Sequence, residues 1–239
     1  MESFWQNILA WLYSVGIDLG GRVATGVGPV VAQVSDKMDM PSLLALAAAL
    51  GWASGFRLYA VVFLVGAAGA AGWINLPTGL AVLQHPALLT ASGLMLFIEF
   101  FADKIPGLDS LWDVVHSVIR IPAGAALAAG ALGADSATMT LAAALMGGSL
   151  AATSQAAKTT TRAAINTSPE PFSNVFASLL EDGLVVGAVW LATTHPLVFG
   201  VVLTIAVVLM WVVTVVLFRF LRTVLQRVSA LFSNSQKVV

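Results

Sequence analysis

The feature that most constrains this chain is a set of long apolar stretches, each holding one charge or a few. Arg57 is the only charge between Pro41 and Gly72. Glu181 and Asp182 open a stretch that then stays uncharged through Phe218. Asp113, His116 and Arg120 head another apolar run. An ionised side chain in hydrocarbon is costly, so such residues pair with one another or line a pathway.

The 239 residues are 59% hydrophobic and 10% charged, against about 25% charged in soluble domains. A water-soluble core cannot absorb that much apolar surface, so the solvent is lipid. The polar–apolar alternation of a membrane barrel is missing, which leaves an all-α polytopic bundle. Without cysteine, disulfides, Cys-bound zinc and iron–sulfur sites are excluded. A net charge of −1 argues against nucleic acid as a partner. The N-terminus lacks a basic start followed by a long apolar run, so it does not read as a secretory signal. Phe4 to Val15, with Trp5 and Trp11, reads as a helix lying in the membrane interface, within an N-terminal segment 1–40.

Six spans are expected within a transmembrane domain 41–218. They are Pro41–Gly72, Pro86–Ala102, Leu111–Leu132, Ser136–Ala157, Asn174–Thr193 and Leu197–Phe218. The first is too long for a simple crossing, and Gly51, Ser54 and Gly55 predict a break or strong tilt in it. The fourth is mostly Ala, Gly, Ser and Thr, so its neighbours should wrap it. Pro122 marks a candidate kink in the third. Residues 219–239, with Arg219, Arg222 and Arg227, form a basic tail. The outer loops then hold no Lys or Arg, which places both termini in the cytoplasm of a bacterial inner membrane.

Leu46-Ala-Ala-Ala-Leu50-Gly51 is echoed by Leu141-Ala-Ala-Ala-Leu145-Met-Gly147, and Gln84-His85-Pro86 by Thr194-His195-Pro196. These echoes suggest a degenerate repeat with halves 41–133 and 136–218. Three crossings per half would invert the second copy, the plan of many secondary transporters. Gly51–Gly55 and Gly147-Gly148-Ser149 are then candidate broken or re-entrant segments. Such backbone survives at membrane depth only inside protein or around a cavity.

The charges form two groups. Glu99 and Asp103 are four residues apart and share a helix face. Asp109, Asp113, His116 and Arg120 step by four, three and four, and form one stripe. Pro106-Gly107 between them makes a hairpin turn. Three readings compete: internal ion pairs such as Asp113 or Glu99 with Arg120, a proton or cation relay, or a divalent-metal site. The basic group is Arg57, Lys158 and Arg162, with Arg120 beside it. Cations near hydroxyl donors suit a phosphate or carboxylate. The plainer reading has Lys158 and Arg162 snorkelling to the surface and Arg57 paired with Glu181 or Asp182. In the loop 166–174, Ser168 or Ser173 is expected to cap the following helix.

Glu99-Phe-Phe-Ala-Asp103-Lys104-Ile-Pro106-Gly107-Leu-Asp109-Ser-Leu-Trp112-Asp113-Val-Val-His116, followed by Ile119-Arg120-Ile-Pro122-Ala-Gly124, resembles a family of bacterial integral membrane proteins, domain of unknown function four-one-two-six. Ala53-Ser54-Gly55-Phe56-Arg57 and Ile165 to Asn174 share the likeness, which covers Pro41 to Leu191. The resemblance implies an uncharacterised inner-membrane protein and assigns no residue a role.

No nucleophile elbow, phosphate-binding glycine loop or zinc-protease motif occurs, so neither an enzyme nor a cofactor is expected. The leading expectation is a carrier for an anionic solute or lipid headgroup held by Arg57, Lys158, Arg162 and Arg120. Glu99, Asp103, Asp113, His116, Glu181 and Asp182 would couple it to protons or ions around a wet chamber. A cation or metal pathway, and a non-transporting scaffold acting as an oligomer or with membrane partners, are the alternatives.

Overall fold

The computed structural model describes residues 38–105, 108–132, 136–167 and 171–235. Among them every regular element is helical: α1 (Met40–Ala70), a 3-10 helix (Thr78–Gln84), α2 (Pro86–Ala102), α3 (Leu108–Leu132), α4 (Ala137–Ile165), α5 (Pro171–Thr194) and α6 (Pro196–Ser235). The expected interfacial helix Phe4–Val15, the Pro106-Gly107 turn and Ser168 lie outside the described residues. Helices α1, α3, α5 and α6 are long and apolar enough to cross a membrane. The 3-10 helix and α2, bent by 68° at their junction, make a fifth candidate if taken as one span. Helix α4 is long, at 29 residues, but its Ala, Ser and Thr content leaves it too weakly apolar to count by composition.

Helix starts are written locally. The Asp39 carboxylate accepts from Ser42 N–H at 3.2 Å ahead of Pro41. His85 Nδ1 accepts from Ala87 N–H at 3.2 Å ahead of Pro86. Ser136 Oγ accepts from Met139 N–H at 3.5 Å to open α4. Each uses a short polar side chain to satisfy an orphan N–H, and proline sits where its missing N–H costs nothing.

Helix α1 is the core. Ala45 to Leu58 are all buried without interruption, the pattern of a helix surrounded by protein. Small residues let it sink in. A Cβ on Gly51 would lie 2.5 Å from the Gly147 Cα, and one on Gly147 would strike Ala128 and the Gly124 carbonyl. So α1, α3 and α4 meet backbone to backbone.

This core helix is two arms joined at Arg57, whose φ of −146° and ψ of 82° break the helix. Contacts along α5 show how the arms run. Trp52 shares a cavity with Leu184, Gly187 and Leu191. Arg57 donates to Ser178. Leu64 returns to Val185 and Val186. The chain approaches the first half of α5 from Trp52 to Arg57, then retreats along it, so α1 folds back with Arg57 at the apex. Its ends point away from the end of the bundle where α2 reaches Asp103. The sequence placed the break at Gly51–Gly55, and it lies two residues beyond Gly55.

Other expectations are corrected. Helix α4 continues unbroken through Gly147-Gly148 and eight residues past Ala157, which takes Lys158 and Arg162 into the helix. Gly51 faces Gly147 while Gly55 faces Ala151 and Ser154. The two Ala-rich echoes therefore run parallel, whereas inverted copies would run in opposite senses. Ser173 lies inside α5 rather than capping it. Helix α6 runs on through Arg219, Arg222 and Arg227 to Ser235. Pro122 lies within the single helix α3.

Candidate functional site

The apex of α1 sits in a buried ionic cluster drawn from the α1 to α5 helices and their ends. At its centre is Lys158 of α4. Its Nζ lies 3.1 Å from Asp113, 3.2 Å from Glu181, 3.3 Å from Asp103 and 4.0 Å from Glu99. It also donates to the Phe56 carbonyl at 3.1 Å, at the end of the first α1 arm. The break in α1 frees that carbonyl, and the ammonium takes the place of the missing helical donor.

Around this hub each arginine bridges helices. Arg57 reaches Asp103 at 2.9 Å and Asp182 at 2.8 Å, with Glu181 at 3.9 Å, and donates to Ser178 Oγ at 2.6 Å. Arg120 grips Glu99, Asp113 at 2.8 Å and Gln155 Oε1 at 3.0 Å. Arg162 holds Glu181 at 3.2 Å and donates to the Asp103 and Asn174 carbonyls. Asp109 accepts from Asn166 at 2.9 Å, and Asn174 donates to Asn166 at 2.8 Å, which ties α3, α4 and α5 at that end. Arg57, Glu99, Asp103, Asp113, Arg120 and Arg162 are fully buried.

The sequence brought most of these residues forward for their charge. It paired Arg57 with Glu181 or Asp182, and Arg57 contacts both. Snorkelling of Lys158 and Arg162 is ruled out by their burial at 2% and 0% exposure. The wet chamber with Arg57 on one wall and carboxylates opposite is not what forms, because cations and carboxylates interdigitate. His116 takes part in none of the ion pairs among the described residues. It stacks on Trp112 at 4.0 Å, meets Trp112 O at 2.9 Å and faces Tyr59 edge-on at 5.8 Å. Lys104 turns its ammonium onto the Phe100 ring, 2.9 Å from the centroid.

Gln155, Ser178 and Asn174 were missed. Gln155 stands three residues before Lys158 and seven before Arg162 on one face, a spacing that could have drawn it in. Its Nε2 donates to the Asp113 carbonyl at 3.1 Å while its Oε1 accepts from Arg120.

The ion pairs join six carboxylates (Glu99, Asp103, Asp109, Asp113, Glu181, Asp182) to four cations (Arg57, Arg120, Lys158, Arg162). Glu99 Oε2, Asp103 Oδ1, Asp113 Oδ2 and Glu181 Oε2 are buried and accept no hydrogen bond from the described residues, while Arg57 Nε and Nη1, Arg120 Nε and Arg162 Nη2 donate none. Buried groups of this kind call for further partners. No group of three His, Asp or Glu among the described residues is arranged to hold a metal ion. Two cavities reach the cluster. One of about 420 Å³ between α1, α2 and α5 meets Asp182. The other, about 300 Å³ between α1, α4, α5 and α6, meets Lys158 and Glu181.

The sequence model of one family, described as a domain of unknown function (DUF4126), matches residues 44–216. No curated protein and no solved structure matches the chain.

Proposed function

The chain belongs to the DUF4126 family, whose description carries no activity, and from the geometry we propose that it is a membrane transport protein whose buried cluster takes up and releases a small cation, the proton first. The observation that carries this reading is the surplus of carboxylates over cations around the α1 break. Asp182 is about a third exposed and also feels Lys104, so with every group ionised the five deeper carboxylates exceed the four buried cations by one negative charge in a low-dielectric interior, a costly state. An added small cation relieves that cost, and the acceptors it would meet are the buried oxygens of Glu99, Asp103, Asp113 and Glu181 that accept no hydrogen bond from the described residues.

The same balance speaks less for an anionic solute. All four cations already face carboxylates, so an incoming anion would compete with them for all but the few N–H groups left over, such as Arg57 Nη1 and Arg120 Nε. A metal pathway gains nothing from the ligand geometry. The small-residue faces of α1, α3 and α4 are spent on one another, so a scaffold would have to bind through Gly183 and Gly187 of α5 or Gly200 of α6, which meet open space.

Five helices, α2 to α6, would cross the membrane, with α1 as a re-entrant hairpin. Arg219, Arg222 and Arg227 would set the cluster end towards the cytoplasm. The cavity at Asp182 would give ions access from one flank. A broken helix at the site matches the way transporters place irregular backbone, and the Arg57 apex is the natural moving part.

The test uses protein reconstituted in liposomes holding a pH dye, with a potassium diffusion potential as the driving force. Wild type is expected to acidify the lumen faster than empty liposomes, and Asp113→Asn to abolish the excess rate. A wild-type rate equal to that of empty liposomes, or a rate untouched by Asp113→Asn, overturns the proposal.

A further inference from the structure

Glu181 and Asp182 are neighbours on α5. Successive helical side chains point about 100° apart, so the two carboxylates cannot share one environment. Glu181 turns inward to Lys158 and Arg162. Asp182 turns to another flank, where its Oδ1 lies 2.8 Å from Arg57 Nε and its side chain keeps 31% of its surface exposed. That flank is the cavity of about 420 Å³ between α1, α2 and α5. Its size falls in the range of small-molecule sites, about 300–1,000 Å³.

Asp182 is the one polar side chain in that wall. Ala60 and Leu64 come from the second arm of α1, Phe97 and Phe100 from α2, and Val185 from α5. Phe97 and Val186 at the rim are exposed, so the cavity opens on the outer face of the bundle. An apolar guest would leave the Asp182 charge unanswered, and an anion would be repelled by it. A metal ion would find one carboxylate and no other side-chain oxygen. A cation with apolar substituents meets both demands of the site. Arg57 does not already satisfy Asp182, because it also faces Asp103 at 2.9 Å and Glu181 at 3.9 Å, three carboxylates for one charge. Lys104, whose charge Asp182 feels, rests its ammonium 2.9 Å from the Phe100 centroid. One ring of the cavity wall thus already holds an ammonium by its face.

We propose that this cavity binds a lipophilic organic monocation, an ammonium carrying apolar groups, with its charge against Asp182 and its substituents against Leu64, Phe97 and Val185. The inference deepens the cation reading of the cluster by naming a cargo larger than the proton. It rests on that reading for transport alone, since the binding follows from the cavity. Cation and proton would compete to balance the same surplus of carboxylates.

Equilibrium dialysis tests it, with radiolabelled benzyltrimethylammonium as the probe and the full chain in phosphatidylcholine nanodiscs. Wild type is expected to bind saturably, one probe per chain, above the level of empty nanodiscs. The uncharged isostere neopentylbenzene should not displace the probe. Asp182→Asn removes the counterion at constant shape and is expected to weaken binding about tenfold. Val186→Trp fills the cavity from its exposed rim, leaves every charge in place and should weaken binding as much. Where Asp182→Asn gives no monodisperse protein, Val186→Trp decides alone. No saturable binding by wild type, displacement by neopentylbenzene, or equal affinity in wild type and either folded variant overturns the inference, whatever the proton flux. A wild type that binds the probe yet carries no protons sustains the inference and overturns the transport reading instead.

Discussion

Lys158 shows why single residues in this cluster cannot be read alone. Four carboxylates lie within 4.0 Å of its Nζ, so removing the ammonium strands several like charges at once. Lys158→Met is expected to lower the melting temperature of the solubilised protein at pH 8. Part of the loss should return at pH 5, as protons take the lysine's place among the carboxylates; circular dichroism melts at the two pH values check this. Arg120 binds Glu99, Asp113 and Gln155 together. Arg120→Met should cost about 3–5 kcal/mol, because it leaves buried carboxylates unpaired. Adding Glu99→Gln should restore part of that stability, as a double-mutant cycle in denaturant would show.

Among elements, the contrast between two glycine sets is the sharpest. Gly147→Val drives a side chain into Ala128 and the Gly124 carbonyl. It should therefore abolish the folded monodisperse peak in size-exclusion chromatography. Gly183→Ala meets open space and should leave the peak intact and raise helix stability by about 0.5–1 kcal/mol. The two arms of α1 give the second test at this scale. They were visible in the sequence only as a span too long for one crossing. Glycine and serine pointed to irregular backbone near Gly55, but the break falls on Arg57. What fixes it there is the pull of Asp103, Asp182 and Ser178 on its side chain, and these come from α2 and α5.

For the whole molecule, a chain without cysteine makes the topology directly measurable. Single cysteines at Asp39, Trp73 and Arg222 should label unequally with an impermeant maleimide in sealed vesicles. The first two are expected to react from one side and the third from the other. A straight α1 would put Asp39 and Trp73 on opposite sides.

Composition and the long uncharged runs by themselves determined a helical membrane protein, because no water-soluble core can absorb so much apolar surface. They also located every helix from α2 to α6 to within a few residues at its start, since proline and capping residues act on their own neighbours. Isolated charges in those runs named most of the cluster, because an ionised group at that depth needs a partner wherever the chain goes. Only the tertiary structure decided which partner each one takes, that His116 stands apart with Trp112 and Tyr59, and that Gln155 and Ser178 belong. It also decided that α1 turns back inside the bundle and that its Ala-rich half runs parallel to α4. Those outcomes depend on contacts between residues as far apart as Arg57 and Ser178, and no local pattern in a sequence encodes the meeting of segments so distant.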